Sequence, residues 1–437
     1  MIFEFLTTTI FGGIAIKAFL KKQNLTENDS GKIQRIITLS GLNVKDGKET
    51  LTTHLVSKKQ HDWGWEYKYR IPLGRSFNDY LAKQDILQDG LKNRSKQITF
   101  NDLKSLNFDD GIITSLKSLW KKKLTEPKEI ELDFDGLLII RVYDEPLPKQ
   151  VPFQPGTSWK VPVGITRGKN TFKYHDFEVI PHLVLGGATR YGKSNFINSI
   201  IISLVHSEPS FVNFYLIDLK GGVELCDYEN IKQTKSIAYE PHEALETLKM
   251  AYERMRNIQQ QLKVKGKKNV QQAGIKDRYF IIVDEVGELN PSEAVTRKEK
   301  LLKQECQTIM SQIARIGAGL GFRLIVATQY PTGDVIPRQV KQNSDAKLSF
   351  RVQSQTASRV VLDEPGAELL PQIRGRAIYQ SADKREIVQT PVISSEIIEE
   401  TIKPHIRINE KEEGQDAIED ETVITKARID TVTFEEV

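Results

Sequence analysis

Cysteine is scarce in this 437-residue chain: Cys226 and Cys306 stand alone, 80 positions apart, with no partners at metal-ligand spacing. That excludes a disulfide framework and a cysteine zinc site, and makes a reducing compartment the default. Internal repeats are absent, which excludes solenoids and propellers. Net charge is also small, +4, with 39% hydrophobic and 27% charged residues, the balance of a folded protein of two or three domains. The small total hides an asymmetry. Residues 394–437 carry 13 acidic and 5 basic side chains, which leaves the rest of the chain at +12. Such a body is compatible with a polyanionic partner.

What is present is more specific. Leu183-Val-Leu-Gly runs as a short apolar strand into Gly187-Ala188-Thr189-Arg190-Tyr191-Gly192-Lys193-Ser194. This Gly-x-x-x-x-Gly-Lys-Ser spacing is that of a phosphate-binding loop. The glycines let backbone N–H groups turn inward, and the helix predicted over Asn195 to Leu204 points its positive end at the anion. In this reading Lys193 meets the β- and γ-phosphates of ATP, and Ser194 places its hydroxyl on Mg²⁺. Tyr279-Phe-Ile-Ile-Val-Asp284-Glu285 is a continuous apolar run closed by two carboxylates. It suits a strand buried on both faces of a parallel sheet, with the carboxylates at the edge where ligands bind. Asp284 would hold the Mg²⁺ water shell and Glu285 would orient the attacking water, which makes the expected outcome hydrolysis.

Along the chain, Met1–Leu20 is mostly apolar and is followed by Lys21 and Lys22. Residues 1–22 are a candidate membrane anchor that would keep the body on the cytoplasmic face of the cell membrane. A surface helix or partner-binding segment is the alternative. Residues 25–150 are expected as a small α+β domain. Trp63, Trp65, Tyr67 and Tyr69 alternate as in a half-buried strand, and Asp135-Gly136 marks a hairpin turn. Alternating aromatics could stack on nucleic acid, but sheet packing explains them better. Four prolines within 144–156 read as a linker. From 151 to 394 strands alternate with helices, predicting a mainly parallel, RecA-like P-loop sheet. Residues 395–437 are expected as an acidic flexible tail.

Ile325-Val-Ala-Thr-Gln329 with Pro331-Thr-Gly-Asp-Val-Ile resembles the FtsK/SpoIIIE family of DNA-pumping ATPases. Asp218-Leu-Lys-Gly-Gly, Phe350-Arg-Val-Gln-Ser-Gln-Thr-Ala-Ser-Arg-Val-Val-Leu-Asp and Gly366-Ala-Glu extend the resemblance, in the family's order, over about 160–385. Arg190-Tyr191 replace the small residues usual in its loop, and Tyr330 stands where it usually has arginine. No counterpart of the family's winged-helix domain follows residue 395, so the chain looks more like the coupling proteins of Gram-positive conjugative elements and plasmids. The resemblance implies a homo-hexameric ring with ATP between subunits and DNA, expected as duplex, in the pore. It implies that Gln329 senses the γ-phosphate, and that Arg351 or Arg359, with Arg315 a third candidate, serves as a finger from the neighbouring subunit. Arg338 and Lys341 become the candidates for sequence-blind DNA phosphate contacts. Relaxase and conjugation-channel proteins are the implied partners. A protein-secretion motor, or a membrane-tethered scaffold with little turnover, is the competing reading. A single P-loop weighs against the first and Glu285 against the second.

Overall fold

The computed structural model describes residues 29–92, 129–167, 172–331, 333, 335–382 and 384–407. The candidate anchor, 1–22, lies outside them. Among the described residues no helix is long and apolar enough to cross a membrane.

The first unit is built from α1 (Ser30–Leu39), the hairpin β1 (Val44–Asp46) and β2 (Glu49–Leu51), β3 (His54–His61), β4 (Gly64–Arg70), α2 (Phe77–Leu81), α3 (Gln84–Lys92), β5 (Glu129–Phe134) and β6 (Leu138–Tyr143). Its antiparallel sheet has the order β3-β4-β6-β5. Period-2 alternation puts Tyr67, Tyr69, Leu138 and Ile140 on one face, where they bury against Ile33, Ile37 and Leu87 of the helices. The aromatics of β4 are therefore core packing. Gly136, at φ +67, turns the β5–β6 hairpin where the sequence places it.

The second unit is a ten-stranded sheet of order β11-β10-β12-β13-β9-β14-β15-β16-β7-β8. Its strands are β7 (Lys160–Thr166), β8 (Phe172–Asp176), β9 (Leu183–Gly186), β10 (Val212–Ile217), β11 (Thr234–Ala238), β12 (Arg278–Val283), β13 (Phe322–Thr328), β14 (Ala346–Phe350), β15 (Arg376–Gln380) and β16 (Arg385–Gln389). The six strands from β11 to β14 are parallel. Alternate residues enter two separate cores: Ile281 and Val283 pack with helices α5 (Pro241–Val264) and α6 (Arg297–Ile316), and Phe280 and Ile282 with α4 (Lys193–Ser207). Burial on both faces is why these strands read as unbroken apolar runs.

The sheet is mainly parallel, as expected, and β15, β16, β7 and β8 continue it antiparallel beyond β14. The short helix α8 (Gln355–Leu362), after α7 (Arg338–Gln342), packs back on β14, so β15 returns in the opposite direction. The acidic C-terminal stretch is not irregular at its start. Ser395–Ile402 forms α9, which buries Ile398 and Ile402 beside α4. Three isoleucines at helical spacing outweigh the local acidic bias. Residues 408–437 lie outside the described ones. The proline-rich 144–156 segment is pinned to the second unit: fully buried Arg376 donates to the carbonyls of Leu147 (3.1 Å) and Pro148 (3.2 Å) and faces Glu129 of β5 at 3.5 Å.

Candidate functional site

Four adjacent parallel strands, β10, β12, β13 and β9, end side by side and deliver one group each to a common edge. β9 runs directly into the Gly187–Ser194 loop, and α4 begins at Lys193 behind an N-cap at Gly192 with φ +115. Only glycine adopts that backbone readily. Gly187 is required for another reason: a Cβ there would lie 2.6 Å from Cβ of Phe350. The loop is held from outside itself. Ala188 N–H donates to the Arg351 carbonyl at 2.9 Å, and Gly375 N–H donates to the Tyr191 carbonyl at 2.9 Å. Thr189 and Arg190 form the exposed tip, Arg190 at φ +73. Tyr191 leans on the α4-side core, and Ser194 is half-buried in the first helical turn.

Lys193 crosses to β12. Its ammonium donates to the main-chain carbonyl of Asp284 at 2.8 Å and pairs with that residue's carboxylate. Both side chains are almost wholly buried. Burial pushes the lysine below its ordinary pKa, and the charge of Asp284 opposes that shift. Asp284 Oδ2 is buried without a hydrogen-bond partner. Glu285, next in sequence, accepts the Gln329 N–H at 2.9 Å through Oε2. Gln329 follows β13 directly, and its side-chain oxygen accepts the Thr189 hydroxyl at 3.0 Å. One residue therefore joins the carboxylate pair to the tip of the phosphate loop.

The sequence reading passed over Lys220. Its ammonium lies 3.2 Å from Glu285 Oε2 and 3.5 Å from Asp284 Oδ2. The signal was present in Asp218-Leu-Lys-Gly-Gly, which follows β10 at the same sheet edge as the carboxylates.

The other predicted residues lie elsewhere. The Arg351 guanidinium donates to the Leu370 carbonyl, and its own carbonyl braces the phosphate loop. Arg359 is exposed in the last turn of α8, as is Arg315 at the end of α6. Arg338 and Lys341 share α7 beside a cavity of about 520 Å³ that Lys347 and Asp363 also line. Arg338 is exposed, whereas Lys341 is committed to Asp363 at 2.6 Å and to the Arg359 carbonyl at 2.9 Å.

The FtsK/SpoIIIE family profile matches residues 154–314. The chain is similar to the DNA translocase FtsK of Leptospira interrogans serogroup Icterohaemorrhagiae serovar copenhageni (strain Fiocruz L1-130), at 31% identity over 271 residues, covering 56% of this chain and 27% of that protein. It is also similar to the DNA translocase FtsK of Chlorobaculum tepidum, at 32% over 238 residues, covering 50% and 28%. The chain thus spans little more than a quarter of the length of these relatives. In fold it is similar to the solved structure of the pCW3 conjugation coupling protein TcpA in monomer form with ATPgS, with a TM-score of 0.57 at 19% identity, covering 86% of this chain and 99% of that one.

Proposed function

Because residues 154–314 match the FtsK/SpoIIIE family profile, we propose that this chain is an ATP-driven DNA translocase, acting in conjugative transfer or in plasmid or chromosome movement. The observation that carries this reading is the Lys193–Asp284–Glu285–Gln329–Thr189 chain of contacts at one sheet edge. A nucleotide-binding module without turnover has no use for a second buried carboxylate there.

The residues fit ATP with Mg²⁺. Gly187 to Ser194 supply a backbone turn at a helix start, Lys193 supplies a buried cation, and Asp284 Oδ2 is a buried oxygen without a hydrogen bond. Ser194 and Asp284 would hold the metal, which when bound neutralises phosphate charge. Glu285 orients and polarises the attacking water, held in place by the Gln329 N–H. Gln329 relays the state of the site to the loop that follows it. For the finger in trans, Arg359 is preferred to Arg351, because the Arg351 guanidinium is engaged within its own subunit. Arg338 leads α7 toward DNA phosphates, with Lys341 behind it. A homo-hexamer, a membrane tether through residues 1–22 on the cytoplasmic face, and relaxase or channel partners belong to the same reading.

The test is the ATPase rate of the full chain with and without long duplex DNA. Strong stimulation by duplex, lost in Lys193→Ala, is the expected result. A rate indifferent to DNA would overturn the cargo and point to protein secretion, and no turnover at all would leave a scaffold.

A further inference from the structure

The Asp218-Leu-Lys-Gly-Gly turn does more than mark a family. Asp218 is fully buried at the end of β10, where Oδ1 accepts the Lys220 N–H at 3.3 Å and Oδ2 accepts the N–H groups of Glu224 (2.9 Å) and Leu225 (3.1 Å). One carboxylate thereby folds the loop 218–225 back on itself. Gly221 and Gly222, at φ +79 and +69, make the reversal, and a Cβ on Gly222 would sit 2.5 Å from the Tyr239 ring. The folded loop aims the Lys220 side chain back over the end of β12. Its ammonium is buried there without a geometrically formed hydrogen bond, facing Glu285 Oε2 and Asp284 Oδ2.

Lys193 occupies the other oxygen of Asp284, so the two lysines divide the carboxylate pair between them. Gln329 N–H and Lys220 hold the same Glu285 oxygen from the segments that follow two different strands, β13 and β10. Without Lys220, the Gln329 N–H would hold Glu285 with no cation in contact with it, and Lys193 alone would offset its repulsion from the adjacent Asp284 carboxylate.

We propose that Lys220 is a positioning residue for hydrolysis, fixing the Glu285 carboxylate in its working orientation without itself gripping the nucleotide. This inference rests on the reading of Glu285 as the group that activates water. Misplacing such a group by about 1 Å can cost on the order of 100-fold in rate.

The experiment compares wild type, Lys220→Met, Lys220→Arg, Glu285→Gln and the Lys220→Met/Glu285→Gln double variant, in kcat, in KM and in equilibrium affinity for a fluorescent ATP analogue with Mg²⁺. Lys220→Met should lose about 10- to 100-fold in kcat while binding the analogue within about threefold of wild type. Lys220→Arg should recover most of that loss. The double variant should turn over no more slowly than Glu285→Gln alone, since a residue that acts through Glu285 has nothing left to act on. A Lys220→Met enzyme with at least half the wild-type kcat would sink the proposal. So would a further large loss in the double variant, or analogue affinity that falls in step with kcat. Should Lys220→Met fail to fold, Lys220→Arg still decides: near-normal affinity with near-normal kcat supports the proposal, and normal affinity with kcat as low as Glu285→Gln overturns it. Wild-type turnover in Glu285→Gln alone would locate the failure in the hydrolysis reading.

Discussion

Lys193 grips Asp284 twice, at the main-chain carbonyl and at the carboxylate, so the phosphate-loop lysine is tied to the end of β12 by a contact 91 residues long in sequence. Lys193→Ala should weaken nucleotide binding by about 100-fold, the scale of a lost charge-assisted hydrogen bond. It should also cost about 1–3 kcal/mol of stability, because it leaves Asp284 buried with only Lys220 nearby. Adding Asp284→Asn should return part of that stability without returning nucleotide binding. Urea midpoints of the single and double variants check this. A double variant less stable than Lys193→Ala would show that the pair is not the source of the loss.

Asp363 restrains two cations beside α7. It pairs with both Lys341 and Lys347 at the cavity beside α7. Asp363→Asn should therefore tighten duplex binding several-fold at low salt and steepen the salt dependence, since up to two more cations reach phosphates. Arg338→Ala should do the reverse, flattening the slope by about one. Fluorescence anisotropy with labelled duplex across a salt series reads both. Unchanged binding in Asp363→Asn would remove Lys341 from the DNA interface.

Continuous apolar runs made β9, β12 and β13 readable, because burial on two faces leaves no polar positions to confuse the pattern. Glycine spacing located the phosphate loop for a similar reason: its backbone tolerates few alternatives. Strand direction was not legible. Nothing in the composition of Arg376–Gln380 distinguishes an antiparallel strand from a parallel one. Lys341 read as a free cation because its partner, Asp363, is brought to it only by the packing of α8 on β14. Lys220 was visible as part of a motif, but its proximity to Glu285 depends on β10 lying next to β12, a neighbour relation the sequence does not state. Helix α9 was obscured by averaging charge over 44 residues instead of following the spacing of Ile397, Ile398 and Ile402.

Acid should destabilise the ten-stranded sheet well before carboxylates titrate. Burial pushes His175 down to about 3, and burial together with the Arg323 charge pushes His182 to about 3, from ordinary values of 6.5. The geometry agrees for His182, whose Nδ1 accepts the Leu324 N–H at 3.0 Å and must be unprotonated to do so. A histidine kept neutral in the fold takes up a proton only on unfolding. Its contribution is therefore complete above about 6.5 and falls as pH drops toward 3, by up to about 1.4 kcal/mol per pH unit for each ring. Glu178 behaves similarly but lower. Burial raises it, yet the Arg278 hydrogen bonds and the Arg323 charge prevail and hold it at about 2 against 4.5, so its contribution is lost between those values. Urea midpoints should drop from pH 7.5 to pH 5.5, and His182→Gln should weaken that dependence. A midpoint constant over this range would contradict the assignment.

Arg376 fastens the first unit to the second. It is fully buried, and within one guanidinium it serves the side chain of Gln389 (3.0 Å), the carbonyls of Leu147 and Pro148, and the carboxylate of Glu129. Arg167 meets the same Glu129 at 2.8 Å, so two arginines share one acid at the junction. Gly375, immediately before Arg376, donates to the phosphate-loop Tyr191, and the junction is thus one residue from the nucleotide site. Arg376→Ala should leave three neutral acceptors, the Gln389 side chain and the carbonyls of Leu147 and Pro148, short of this donor while Arg167 still holds Glu129, at a cost of about 3–5 kcal/mol. Arg376→Met, which keeps the volume, should still lose most of that, since the penalty is polar. The change should also expose the 144–156 segment, so limited proteolysis should cut there faster than in wild type and release the second unit. Cleavage at an unchanged rate, with an unchanged urea midpoint, would show that packing of the two units does not depend on this arginine.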